Sequence, residues 1–130
     1  VKLQHYNYAS YIGSGVIRSS DIILHHTSVS FDAHMTETAG ILMVGGQAVI
    51  LKPTGHLNID YFTNTVNKSQ VTCISCVPSV WMLVEKFLST VPEELRLKTV
   101  TTIQVGGIVT FSRHVEDVFS NVMIIKENYL

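Results

Sequence analysis

A carboxylate directly behind an aromatic ring, in Phe31-Asp32-Ala33, is the first group in this sequence with the makings of chemistry. Two readings of Asp32 stand open. It can cap a helix, accepting from a free amide of the first turn where the helix dipole favours negative charge, or it can be the charge partner of a ligand amine. Gly106-Gly107 stands where a strand is expected to meet its helix. A backbone without side chains at such a junction admits a flat ring or a phosphate, although tight turns use the same pair. Cys73 and Cys76 have the spacing of a redox couple, but both fall inside an expected strand, where residues three apart point to opposite faces. They are read as small core residues. With no second cysteine pair, His25, His26, His34, His56 and His114 close no four-ligand shell, so no structural metal is expected. No Gly-x-Ser-x-Gly elbow is present to support a hydrolase.

The elements that must hold these groups follow from the apolar pattern. Ile22-Ile23-Leu24, Ala48-Val49-Ile50-Leu51, Val71 to Val77, Thr101 to Val105 and Val122 to Ile125 read as five buried strands. Between them lie helical stripes. Phe31, Met35, Ala39 and Leu42 recur behind a cap at Ser30 or Asp32 and stop at Gly45-Gly46; Ile59, Phe62 and Val66 follow the break at Pro53 and Gly55. Val80, Leu83, Val84, Phe87 and Leu88 follow Pro78, which suits a first helical position. A charged turn from Pro92 to Lys98 precedes the fourth strand, and Phe111, Val115, Val118 and Phe119 form a last stripe. A short helix through Tyr8, Tyr11 and Ile12, ended by Gly13 and Gly15, precedes the first strand. Near-continuous apolar strands alternating with amphipathic helices predict an α/β fold: a mostly parallel sheet of about five strands with helices on both faces. Ligands bind such sheets outside the carboxyl ends of the strands, the edge that gathers Asp32, Pro53 to Gly55, Ser79 and Gly106.

Composition narrows the function classes. At 130 residues, with 46% hydrophobic and 15% charged, the chain has the makings of one folded unit rather than a disordered segment. A domain of this size buries about 68% of the surface its unfolded chain exposes, so it needs no covalent staple. Nine basic against ten acidic residues, without a basic cluster, argue against a nucleic-acid partner. No apolar run approaches the roughly 20 residues of a membrane span, and a cytoplasmic setting is the expectation. Val1 and Leu130 read as cut ends of a longer chain, which predicts poor solubility for the piece alone.

The ordered string Ser28-Val29-Ser30-Phe31-Asp32-Ala33, Gly45-Gly46-Gln47-Ala48-Val49, Val71-Thr72, Val77-Pro78-Ser79 and Val105-Gly106-Gly107 resembles the adenylate-forming (AMP-dependent synthetase/ligase) superfamily. The resemblance is to the adenylation domains of nonribosomal peptide synthetases in particular. It covers nearly all of residues 1–130, as a central part of the larger N-terminal domain.

The resemblance implies a ligase in which a carboxylate attacks the α-phosphate of ATP with Mg²⁺, pyrophosphate leaves, and the acyl-adenylate passes to a carrier-protein thiol. By similarity Asp32 would hold the α-amino group of an amino-acid substrate, a pairing whose strength depends on charge-assisted hydrogen bonds. Ala33, Thr36, Ser79, Gln104 and Gly106 would line the side-chain pocket, and Gly106 and Gly107 would pass the adenine. Thr36 and Gln104, polar among small neighbours, suggest a polar or sizeable substrate side chain. Three features depart from the family pattern: Ile108 where Glu is common, Gln104-Val105 before the glycines, and Lys126 and Asn128 where Asn and Tyr are expected. The family's phosphate loop, its Thr-Glu for Mg²⁺, its ribose-binding Asp and its small C-terminal domain with the catalytic Lys have no counterpart in these residues. The isolated chain is therefore expected to be inert and to hold no cofactor of its own, since transition-state electrostatics dominates such reactions. Two alternatives differ in class: part of an acyl-CoA ligase of the same superfamily, in which Asp32 faces no amine, and a non-catalytic α/β interaction module.

Overall fold

Five strands form one sheet in the order β2-β1-β3-β4-β5, and every neighbouring pair is parallel. They are β1 (Ile22–His25), β2 (Gln47–Ile50), β3 (Cys73–Cys76), β4 (Thr102–Gly106) and β5 (Met123–Glu127). The computed structural model describes residues 4–92 and 96–106, together with the backbone of 123–127. The expected helical stripe from Phe111 to Phe119, and Gly107, lie outside the described residues, as does part of the turn from Pro92 to Lys98.

Parallel strands require crossovers, and the helices supply them on both faces. α1 (His5–Gly13) precedes the sheet. An unbroken helical segment joins β1 to β2: α2 (Ala33–Met35), a π turn (Thr36–Gly40) and α3 (Ile41–Met43). α4 (Ile59–Lys68) joins β2 to β3, and α5 (Pro78–Leu88) follows β3. The two-residue alternation of the strands divides the core. Ile23 and Cys73 pack with Ile12, Ile17 and Ile41 beneath α1 and α3, whereas Leu24, Ile74, Cys76, Ile103 and Val105 pack with Phe62, Val66, Trp81, Val84 and Leu88 of α4 and α5. Each such aliphatic or aromatic side chain, fully buried, contributes about 1.5–3 kcal/mol. The two cysteines thus sit in opposite layers, both buried and neither in a disulfide.

Local chemistry fixes the helix ends. The Asn58 side chain accepts from the Tyr61 amide at 2.9 Å to start α4, and Pro78 opens α5 where no amide partner is needed. α3 stops at Gly45, whose φ of +84° lets the Gly46 amide reach the Ile41 carbonyl at 2.9 Å and the Gly45 amide the Leu42 carbonyl at 3.1 Å.

Two sequence expectations about helix faces are corrected. The stripe Phe31, Met35, Ala39 and Leu42 is the outward one: Phe31 is 63% and Leu42 64% exposed, while Thr36, Glu37, Gly40 and Ile41 are buried. The inward face is set by Glu37, whose carboxylate is held by donors at the end of β1, so polar contacts rather than apolar spacing decide which side of the helix meets the sheet. On α5, Leu83 is exposed, and the buried stripe is Trp81, Val84 and Leu88.

Candidate functional site

The strand order changes direction between β1 and β3. The chain leaves β1 for α2 on one face of the sheet and returns to β3 from α4 on the other. In an open parallel sheet the carboxyl edge at such a point is where ligands bind. Three described segments meet there: 26–32 after β1, 51–58 after β2 and 77–79 after β3, with Gly106 ending β4 alongside.

The organising group at this edge is Glu37, fully buried in the π turn. Its carboxylate accepts four hydrogen bonds. The His25 Nδ1–H, at 2.9 Å, and the amides of His26 and Thr27, each at 3.0 Å, reach Oε2; the Thr27 hydroxyl reaches Oε1 at 2.5 Å. A carboxylate in an apolar layer is costly unless its lone pairs are met, and these donors meet them. The π turn is what brings Glu37 beneath the end of β1.

His26 continues the connection toward β3. Its Nε2 lies 2.5 Å from the Ser75 carbonyl, which only accepts, so the proton is on Nε2. The ring is packed edge-on against Phe62, with centroids 6.1 Å apart, and His56 lies 6.2 Å away. Burial pushes the His26 pKa below the ordinary histidine value, outweighing the opposing pull of the Glu37 charge and the Ser75 hydrogen bond; His56 and His25 add to the lowering. At the end of β3, burial pushes the Cys76 thiol up to about 12, and the Glu37 charge adds to that rise. A thiol held protonated is neither nucleophile nor redox partner, so the Cys73/Cys76 spacing carries no thiol chemistry.

The sequence-derived site residues are distributed as follows. Asp32 is exposed at the head of α2, already helical at φ −63°, ψ −33°. It accepts from the adjacent Ala33 amide at 2.9 Å, and its second oxygen takes no hydrogen bond among the described residues. A cap normally reaches the amide two or three residues on, so Asp32 does little as a cap. Ala33 is half-buried beside it, and Thr36 is buried toward Tyr8 of α1. Ser79 is exposed in the first turn of α5. Gln104 is buried in β4, where its amide donates to the Val16 carbonyl at 3.3 Å. Gly106 is the last residue of β4.

A separate cleft of about 370 Å³ opens between the segments after β1 and β2, lined by His25, His26, Thr27, Lys52, Thr54 and His56 among others. None of Asp32, Ala33, Thr36, Ser79, Gln104 or Gly106 lines it. Among the described residues no three His, Cys, Asp or Glu side chains are grouped to hold a metal ion. No described helix is long and apolar enough to cross a membrane.

Reasoning from sequence missed Glu37 and the roles of His25 and His26. The signal was a Glu inside an otherwise uncharged helical run, ten residues after a Thr at a strand end.

An all-parallel sheet with this crossing point, covered by helices on both faces, places the chain in the open α/β class. The model of the AMP-binding enzyme family matches residues 1–124, and the chain belongs to that family. It is 38% identical over 68 residues to tyrocidine synthase 3 of Brevibacillus parabrevis and 33% identical over 90 residues to bacitracin synthase 2 of Bacillus licheniformis. Those matches cover 52% and 66% of this chain but 1% and 4% of the synthases. The fold superposes on the nonribosomal peptide synthetase FmoA3 in its AMPPNP-bound form with a TM-score of 0.87 at 17% identity, covering 98% of this chain and 14% of FmoA3. Another FmoA3 structure holds α-methyl-L-serine-AMP (TM-score 0.84, 18% identity, 97% of this chain and 15% of FmoA3). The chain is therefore part of an AMP-binding domain of the kind found in peptide-synthetase adenylation domains.

Proposed function

We propose that residues 1–130 are the substrate-facing part of an adenylation domain that activates an amino acid as its acyl-adenylate. The observation that carries this is Asp32: a solvent-facing carboxylate with one oxygen unclaimed, at the head of the helix that leaves the sheet's crossing point. A carboxylate in that state suits an ammonium group, and closing the site around the pair would strengthen it. Ala33, Thr36, Ser79, Gln104 and Gly106 come from the elements bordering the same edge and would shape the side-chain pocket. Gly106 and Gly107 would offer bare backbone to the adenine.

In this reading the substrate carboxylate attacks the α-phosphate of ATP, pyrophosphate leaves, and a carrier thiol then takes the acyl group. The phosphoryl charge and its Mg²⁺ are met by residues of the complete protein beyond these 130. The role of this chain is to hold the amine, so that the carboxylate it accompanies is presented in one orientation.

The test is amino-acid-dependent pyrophosphate exchange by the complete gene product, with and without Asp32→Ala. Exchange should fall at least a hundredfold for the amino acid and little for its des-amino analogue. No loss for either would favour the acyl-CoA ligase reading, and equal loss for both would mean that Asp32 does not act through the amine. The isolated 130-residue chain should give no exchange above a no-enzyme blank.

A further inference from the structure

We propose that Glu37 is a positioning residue that fixes the head of α2, with Asp32 and Ala33, relative to the end of β3 and Ser79; this rests on the reading of those residues as parts of the amino-acid pocket. Glu37 is five residues beyond Asp32 on one unbroken helical segment, and its carboxylate grips the segment after β1 through the His26 and Thr27 amides and the Thr27 hydroxyl. From there the His26 ring reaches the Ser75 carbonyl of β3, four residues before Ser79. One buried group therefore ties three consecutive parts of the edge: helix, strand-end segment and neighbouring strand.

The geometry goes beyond what core packing requires. An apolar residue at 37 would fill the layer between sheet and helix, but it would leave two strand-end amides and a hydroxyl without acceptors. The π turn places the carboxylate where all four donors converge. Such an arrangement, fully met by donors, specifies one conformation of the segment from which α2 departs. Because His26 and Thr27 have no ligand-binding role in the proposed function, their effect on the reaction would run through where they hold Asp32.

The experiment compares wild type, Glu37→Gln and Thr27→Val in the complete protein. It measures KM and kcat for the amino acid, for its des-amino analogue and for ATP. Glu37→Gln keeps the volume but turns one oxygen into a donor facing donors; Thr27→Val removes one donor and little else. The expected result is a rise in amino-acid KM of about tenfold to a hundredfold for Glu37→Gln, from the loss of hydrogen bonds to a charged group. A smaller rise is expected for Thr27→Val, and Thr27→Ser should restore the wild-type value. The ATP KM and the kinetics of the des-amino analogue should stay within about twofold. Parallel loss for all three substrates, or unchanged amino-acid KM in well-folded Thr27→Val and Glu37→Gln, would overturn the inference. A wild-type protein indifferent to the amine would instead remove the Asp32 reading, and this inference with it.

Discussion

Gly40 closes the π turn, and the effect of giving it a side chain can be worked out from the structure. A Cβ there would lie 2.5 Å from the Tyr8 hydroxyl oxygen and 2.8 Å from Ile12 Cδ1, both on α1. The Tyr8 hydroxyl cannot retreat freely, because it donates to the Met35 carbonyl. In an exposed helix Gly→Ala is stabilising by about 1 kcal/mol. Here overpacking costs about 1–3 kcal/mol and the displaced Tyr8 hydrogen bond about 1 more. Gly40→Ala should therefore destabilise the fold by about 1–3 kcal/mol net. Adding Tyr8→Phe removes the nearest oxygen, leaving the terminal methyl of Ile12, which can rotate. The double mutant should be more stable than the sum of the single changes by about 1 kcal/mol or more, a coupling of the size expected for residues in contact. Urea unfolding is the assay, followed by fluorescence of Trp81, the single tryptophan and fully buried. If Gly40→Ala raises the urea midpoint, or if the two changes simply add, α1 does not press on the π turn as described.

The buried imidazole gives a pH prediction whose sign is fixed. Because the folded-state pKa of His26 lies below the ordinary value of 6.5, folding favours the neutral ring. Its contribution is complete above about pH 6.5 and is lost as pH falls from there through the lower folded value. Urea midpoints at pH 7.5 and 5.5 should differ more for wild type than for His26→Gln, and equal differences would show that other groups carry the dependence. Cys76, with its thiol pushed up to about 12, should resist iodoacetamide at pH 8.5, as should Cys73, which is buried still more deeply. Mass spectrometry should find both unmodified in the native chain over a time that fully labels the urea-denatured one; rapid native labelling of Cys76 would contradict its burial.

The strands were legible because parallel sheets buried on both faces leave short apolar runs between turn residues, as in Ile22-Ile23-Leu24 and Val71 to Val77. The opposite-facing cysteines followed from the two-residue period. Family membership was legible in the ordered string from Ser28 to Gly107, and the family model agrees with it. The inner face of the β1–β2 crossover was not legible. Apolar spacing over Phe31, Met35, Ala39 and Leu42 marks one face of the helix, but the face that meets the sheet is the one carrying Glu37. Glu37 escaped for a related reason: a charged residue is ordinarily assigned to solvent, and the donors that make its burial tolerable sit ten to twelve residues earlier. Trp81 was passed over as part of the α5 stripe, although it is among the most deeply buried side chains of its layer.

The π turn also bears on how this architecture can diversify. In a regular helix each residue advances the azimuth by about 100°, so losing or gaining one codon between Thr36 and Gly40 would swivel the front of the rod, with Asp32 and Ala33, while its rear stayed seated under Ile41. A single-residue deletion would thus re-aim Asp32 by a coarse step that point substitutions cannot reach. Keeping the wider turn would keep the same line of sight.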